Sequence, residues 1–270
     1  MTLDNCSALI TGASAGIGRE FALQLARRAR TIVLVARRGD QLEQLRGDLT
    51  LRNPKLNVHV RAVDLAEAAQ VDSLLNWLKQ DKIDIDFLIN NAGLGDYGPV
   101  ATSQVERDIR MIQVNITALT LLARSFLPVM IARRRGAILN VSSSAGFLPI
   151  PGMAIYAATK AFVNSFSEAL RIELRGTGVR VTALCPGPVH TEFGDVAKRQ
   201  GHEPERGPEF VYVPVEQVVK EALAAIEADR PLVVPGLAMK LSTLLIRLMP
   251  MPVLRWASRF SARRRSGPAS

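Results

Sequence analysis

Near its amino terminus the chain reads Ala8-Leu9-Ile10-Thr11-Gly12-Ala13-Ser14-Ala15-Gly16-Ile17-Gly18. A short strand-like run breaks into glycines, and an apolar helical pattern starts at once. Glycine lets a backbone turn tightly and approach a phosphate, while a helix N-terminus offers free N–H groups and the positive end of a dipole. The spacing G-x-x-x-G-x-G differs from the common dinucleotide fingerprint G-x-G-x-x-G but follows the same physics. A glycine-rich turn alone is also an ordinary structural turn; its place between a first strand and a first helix gives it weight.

Further strand-like runs follow at Thr31–Val35, Val58–Val63, Phe87–Asn90, Ala137–Val141, Val179–Leu184 and Leu232–Val234, with helix-length segments between most of them. Val215, Val218, Val219, Ala222, Leu223 and Ile226 fall on one helical face. Such alternation predicts a single doubly wound α/β domain: seven parallel strands buried on both faces, with right-handed crossovers. Residues 1–236 form this domain. Within it, 191–213 is polar and aperiodic and is expected to be a lid loop over a substrate.

The chain has 270 residues, 48% hydrophobic and 22% charged, ordinary values for a folded domain. Two cysteines, Cys6 and Cys185, are too few for a disulfide framework or a structural zinc cluster, and the reading is cytoplasmic. His59, His190 and His202 are scattered, so no metal is expected. The net charge of +9 is concentrated at one end: eight basic and no acidic residues lie from Arg230 onward, leaving 26 basic against 25 acidic before it. A near-neutral body gives no ground for nucleic-acid binding.

The second strand runs out into Ala36-Arg37-Arg38-Gly39. An acidic residue at this place suits the ribose hydroxyls of NAD, whereas Arg37 and Arg38 suit the 2′-phosphate of NADP(H). Later, Tyr156 and Lys160 stand four apart on one helical face, thirteen residues after Ser143 at a strand end. An ammonium beside a phenol would lower its pKa from about 10 toward the range useful for proton transfer. A serine hydroxyl could hold the substrate oxygen.

Together these residues resemble the short-chain dehydrogenase/reductase family. The matching motifs are Gly12 to Gly18, Asp64-Leu65, Asn90-Asn91-Ala92-Gly93, Asn115, Ser143, Tyr156, Lys160 and Pro186-Gly187-Pro188-Val189-His190-Thr191. The resemblance implies strand order 3-2-1-4-5-6-7 and NADP(H)-dependent interconversion of a ketone and a secondary alcohol. It makes Tyr156 the acid/base, Lys160 the ligand of the nicotinamide ribose, Ser143 the group polarising the carbonyl, and Asn115 the holder of a water. Gly12, Ser14, Ala15, Gly16, Ile17 and Gly18 would cradle the pyrophosphate. Asp64 and Leu65 would border the adenine, and Asn91, Ala92 and Gly93 the adenosine ribose. Val189 and Thr191 would contact the carboxamide, with Pro186 and Gly187 beside them in the cofactor site. Some relatives place a basic residue where this chain has Ala15, so the NADP(H) reading rests on Arg37 and Arg38. Phe147 and Met153, with Leu148 and Ile150, suggest an apolar lining and a lipid-like, acyl or steroid-like ketone. A homodimer or homotetramer is expected through the helix of Phe162, Phe166, Ala169 and Leu170. The alternatives are a sugar-nucleotide epimerase-like enzyme and a non-catalytic NADP-sensing or scaffold protein.

The remaining segment, 237–270, reads as an amphipathic basic extension. Leu237, Leu241, Leu244, Leu245 and Leu248 fall at i, i+4, i+7, i+8 and i+11, with Lys240, Thr243 and Arg247 opposed. Beyond them come Arg255, Trp256, Arg259, Phe260, Arg263, Arg264 and Arg265. The favoured expectation packs the leucines on the protein's own cleft. Peripheral contact with an anionic inner-membrane surface, or with an acyl carrier protein, is the alternative.

Overall fold

The computed structural model describes residues 2–199, 208–250, 252, 253 and 255. Residues 200–207 of the expected lid, with His202, and Trp256, Phe260 and the arginines at 259 and 263–265 lie outside them. The strands are β1 (Ser7–Thr11), β2 (Thr31–Ala36), β3 (Asn57–Ala62), β4 (Phe87–Asn90), β5 (Gly136–Val141), β6 (Val179–Leu184) and β7 (Leu232–Val233). Between them run α1 (Gly16–Leu25), α2 (Gly39–Arg52), α3 (Ala68–Gln80), α4 (Val105–Ile112), α5 (Leu119–Ala132), α6 (Ala154–Glu173), α7 (Phe193–Ala197) and α8 (Val215–Glu227), and α9 (Leu237–Leu248) follows β7.

The strands form one parallel sheet in the order β3-β2-β1-β4-β5-β6-β7. Successive strand residues point to opposite faces. Ile10, Phe21, Leu42, Ile89, Val218 and Ile226 therefore share one apolar layer with α1, α2 and α8. Leu9, Leu74, Leu88, Leu122, Ile138 and Leu170 build the other beneath α3, α5 and α6. The chain reverses direction of winding between β1 and β4, which opens a crevice at the carboxyl ends of these strands.

Three expectations need correction. Strand β3 is not doubly buried: its ends are exposed and its interior half-buried, because it forms the sheet edge. The polar stretch after Thr191 is not all loop, since α7 occupies Phe193–Ala197 with Ala197 buried. The leucines of α9 do not pack on the cleft. They face outward, and Thr243 on the other side of the helix is buried.

The helical run Val105–Ala132 has the length and apolarity to cross a membrane, but it packs on the sheet beside β4, β5 and α6. At its end Arg133 and Arg135 converge on buried Asp86, which also accepts from the Ser7 backbone N–H and pairs with Arg30. These arginines form a clasp at the base of the sheet.

Candidate active site

The glycine turn forms a cradle that side chains would fill. Gly12 and Gly16 adopt left-handed conformations, φ 65° and 52°. A Cβ on Gly18 would lie 2.3 Å from the Gly12 carbonyl oxygen, so α1 can approach β1 this closely only without one. Ala15 caps α1 without a side-chain hydrogen bond, so no capping side chain takes up the first-turn N–H groups. Thr191 lies across the turn, with its Cγ2 3.1 Å from where a Gly16 Cβ would be. These features fit a pyrophosphate held by backbone N–H groups at a helix N-terminus.

At the end of β2, Arg37 and Arg38 are exposed. The Arg38 guanidinium donates to Ser14 Oγ at 3.2–3.3 Å and forms an ion pair with Glu192 Oε2 at 2.8 Å. Thus a β2 residue is tied to the glycine turn and to the start of the expected lid. Asp64 follows β3, and Arg110 of α4 donates to its carboxylate. Burial alone would push that carboxyl up, but the Ala66 N–H and Arg110 bring it below the usual range.

Asn91 joins β4 to the glycine turn. Its Nδ2 donates to the carbonyls of Thr11 (2.8 Å) and Gly12 (3.2 Å), and Thr11 Oγ1 accepts from the N–H groups of Asn91 and Ala92. Deeper in the sheet, Asn90 donates to Asn140 at 2.9 Å and Asn140 to Ser167 at 3.0 Å, fixing α6 against β4 and β5. This polar ladder escaped sequence reasoning, because two asparagines inside apolar strands show no periodic signal.

The four residues expected to act together lie around the start of α6. A π-helical turn at Gln113–Ala118 separates α4 from α5 and turns Asn115 inward. Asn115 Oδ1 accepts from the Leu94 N–H at 2.8 Å; its Nδ2 donates to the Leu94 carbonyl at 2.9 Å and to Thr159 Oγ1 at 3.0 Å. Asn115 therefore clamps the chain just after Gly93. A Cβ on Gly93 would sit 3.3 Å from Lys160 Nζ and 3.5 Å from Asn115 Oδ1.

Tyr156 and Lys160 share one face of α6 and are both buried. The Lys160 ammonium donates to the Val141 carbonyl at 2.8 Å, and Ser142 Oγ donates to the Lys160 carbonyl at 2.9 Å. Burial lowers the Lys160 pKa to about 8. Burial also pushes the Tyr156 phenol up to about 12, partly offset by its hydrogen bond with Ser143. The expected lowering of the phenol by the lysine is absent from this balance: Nζ is 5.8 Å from the ring centre and is turned to Val141. Ser143 begins the 3₁₀ turn Ser144–Phe147, where its Oγ accepts from the Ala145 N–H at 3.1 Å.

Around Tyr156 the surface is apolar. Met111, Ala145, Leu94, Ile150, Met153 and Phe193 pack with it, and the Phe193 ring lies 5.5 Å from the Tyr156 ring. Met153 thus joins the tyrosine, whereas Phe147 packs with Cys185, Val234 and Met239 beneath α9. Phe193 and Glu192 were not foreseen; the only sequence signal was their position just after Thr191. On the lid side, Arg199 and Arg107 both pair with buried Asp96, tying the segment after α7 to the loop after β4. Cys185 is buried, and burial pushes its thiol up to about 12, so it remains protonated.

Comparison with known proteins agrees with this geometry. A family model described as short chain dehydrogenase matches residues 7–201. The sulfoacetaldehyde reductase of Chromohalobacter salexigens is 41% identical over 187 residues, covering 68% of this chain and 72% of the relative. The NADP-dependent 3-hydroxy acid dehydrogenase of Escherichia coli K12 is 37% identical over 190 residues, 70% of this chain and 75% of the relative. Among solved structures, a short-chain dehydrogenase from Sphingobium yanoikuyae in complex with NADPH superposes with a TM-score of 0.78 at 32% identity, covering 98% of this chain and 97% of its own. With its parallel sheet, its glycine cradle and these relatives, the chain belongs to the short-chain dehydrogenase family and is an oxidoreductase acting on alcohol and ketone groups.

Proposed function

We propose that the protein uses NADPH to reduce an apolar ketone to a secondary alcohol. The observation that carries this reading is the Tyr156 hydroxyl, hydrogen-bonded to Ser143 on an apolar floor that includes Met153 and Phe193. The cofactor, when bound, supplies the hydride. Gly12, Gly16 and Gly18 with the first turn of α1 hold its pyrophosphate, and Arg37 and Arg38 its 2′-phosphate. Asp64, Leu65, Asn91, Ala92 and Gly93 border the adenosine half; Pro186, Gly187, Val189 and Thr191 border the nicotinamide half.

Ser143 donates a hydrogen bond to the carbonyl oxygen and so favours the charge that develops there. Burial pushes the Tyr156 phenol up to about 12, so at neutral pH it carries the proton that it gives to the more basic forming alkoxide. Lys160, one turn along α6 on the same face, holds the nicotinamide ribose, and its cation favours the tyrosinate left behind once Nζ turns from the Val141 carbonyl. Asn115 holds Leu94 and Thr159 in place, and through them the loop after β4 and the first turns of α6. Apolar side chains around Tyr156 exclude water and favour a hydrocarbon substituent on the ketone.

Assembly as a homodimer or homotetramer is part of the same proposal. Leu170 is turned into the core and Phe166 packs against it, while the exposed Phe162 stacks on Phe166 at 5.7 Å and α4, which packs beside α6, exposes Ile109 and Ile112. The function is tested by following NADPH oxidation over a panel of ketones graded from small and charged to large and apolar. Turnover should favour the apolar members; turnover confined to small charged carbonyls would overturn the substrate class.

A further inference from the structure

We propose that α9 seats the protein on an anionic lipid bilayer, with its leucines in the membrane interface and the mouth of the substrate cleft beside it. The substrate side of this statement rests on the apolar-ketone reading above; the binding itself does not. Leu237, Leu241, Leu244, Leu245 and Leu248 are 54–73% exposed, and Met249 and Val253 continue the exposed apolar surface. This helix follows β7, beyond the residues 7–201 that the family model matches.

The orientation of α9 is set by contacts on its other side. Met239 packs over Gly187, where a Cβ would be 2.7 Å from its Cγ; Thr243 is buried; and the Arg247 guanidinium stands 5.5 Å from the Phe147 ring centre. The leucines thus form a solvent-facing stripe on a helix docked by its opposite face. That helix packs beside the turns Ser144–Phe147 and Glu209–Val211, at the carboxyl end of the sheet where Ser143 lies. A membrane touching the leucines would adjoin the route by which a lipid-partitioned ketone reaches Tyr156.

Charge selects the occupant. From residue 230 onward the sequence has eight basic residues and no acidic one, five of them after the leucine helix. A second copy docked leucine face to leucine face would bring two such cationic segments together. An acidic protein would satisfy the charge but would also need a groove for five leucines. An anionic bilayer surface satisfies both features: acyl chains take the leucines, and headgroups attract the basic residues, about fivefold in binding for each one near the surface.

The test is sedimentation of the full chain with phosphatidylserine–phosphatidylcholine vesicles at low salt, without ketone or NADPH. A parallel sample carries Leu241→Gln, Leu244→Gln and Leu248→Gln together. The wild type should pellet with these vesicles and remain in the supernatant with phosphatidylcholine alone. The triple variant should bind at least about tenfold more weakly while melting at the wild-type temperature and keeping the wild-type mass in light scattering. Wild-type protein left in the supernatant, or a triple variant that pellets equally, would overturn the proposal. A fall in its melting temperature would show the leucines covered by the chain itself, and a fall in mass would show them covered by a second copy; either result would also overturn it. Because the vesicle assay contains no substrate, failure of the proposed reductase activity leaves its result intact, and the reverse holds as well.

Discussion

Arg38 offers the sharpest handle on cofactor choice, because its guanidinium is already engaged. It pairs with Glu192 at 2.8 Å, with the two side chains 43% and 57% exposed. An exposed pair of this kind contributes about 0.2–1 kcal/mol. A 2′-phosphate offers more negative charge than one carboxylate, and a hydrogen bond to a charged group contributes about 1.5–3 kcal/mol. Arg38→Ala should therefore weaken NADPH binding by roughly tenfold to a hundredfold and leave NADH nearly unchanged. Glu192→Gln removes the competitor and should tighten NADPH by up to about fivefold. In the double variant that gain should vanish, because the carboxylate acts only through Arg38. Fluorescence titration of both cofactors on the four proteins measures each value and the coupling. Equal losses for NADH and NADPH in Arg38→Ala, or a Glu192→Gln gain that survives without Arg38, would refute the assignment.

Two further predictions concern the buried lysine and the assembly. Burial holds Lys160 at about 8 against 10.5 in an unfolded chain, so the unfolded state binds more protons between these values and stability rises with pH across that window. Lys160→Met should lose this rise and turnover with it while melting no lower at pH 7; an identical pH dependence of melting in variant and wild type would contradict the burial argument. Light scattering at micromolar concentration should give a dimer or tetramer, and a mass near the 29.4 kDa of one chain would exclude the proposed contact through Phe162 and Phe166.

The strands were legible because doubly covered parallel strands are short apolar runs between helical periods, and β3 departs only through its place at the sheet edge. The glycine turn was legible because its spacing has a direct steric cause, the approach of α1 to Gly12. What periodicity could not assign was direction. The leucines of α9 mark an apolar stripe, but the same stripe can face a core or solvent, and the docking of Met239 and Thr243 decides between them. Nor could spacing show which groups a side chain would meet across the crevice. Arg38 meets Glu192 across a sequence separation of 154, and Asn115 reaches Leu94 through a π-helical turn that leaves no sequence pattern. Proximity of Tyr156 and Lys160 on one helix was readable, yet the effect of burial on both depends on the apolar groups that fold around them.

The central claim is that Tyr156 delivers the proton in an NADPH-dependent ketone reduction. Tyr156→Phe removes the hydroxyl and keeps the ring that packs against Phe193, so the fold and the cofactor cradle should remain. The direct measurement is single-turnover NADPH oxidation by this variant with a ketone that the wild type reduces, alongside NADPH titration. The account predicts wild-type NADPH affinity with turnover below about a tenth of wild type, since positioned acid catalysis contributes about 10²–10⁴-fold; turnover above about a tenth, with NADPH still bound, would contradict it.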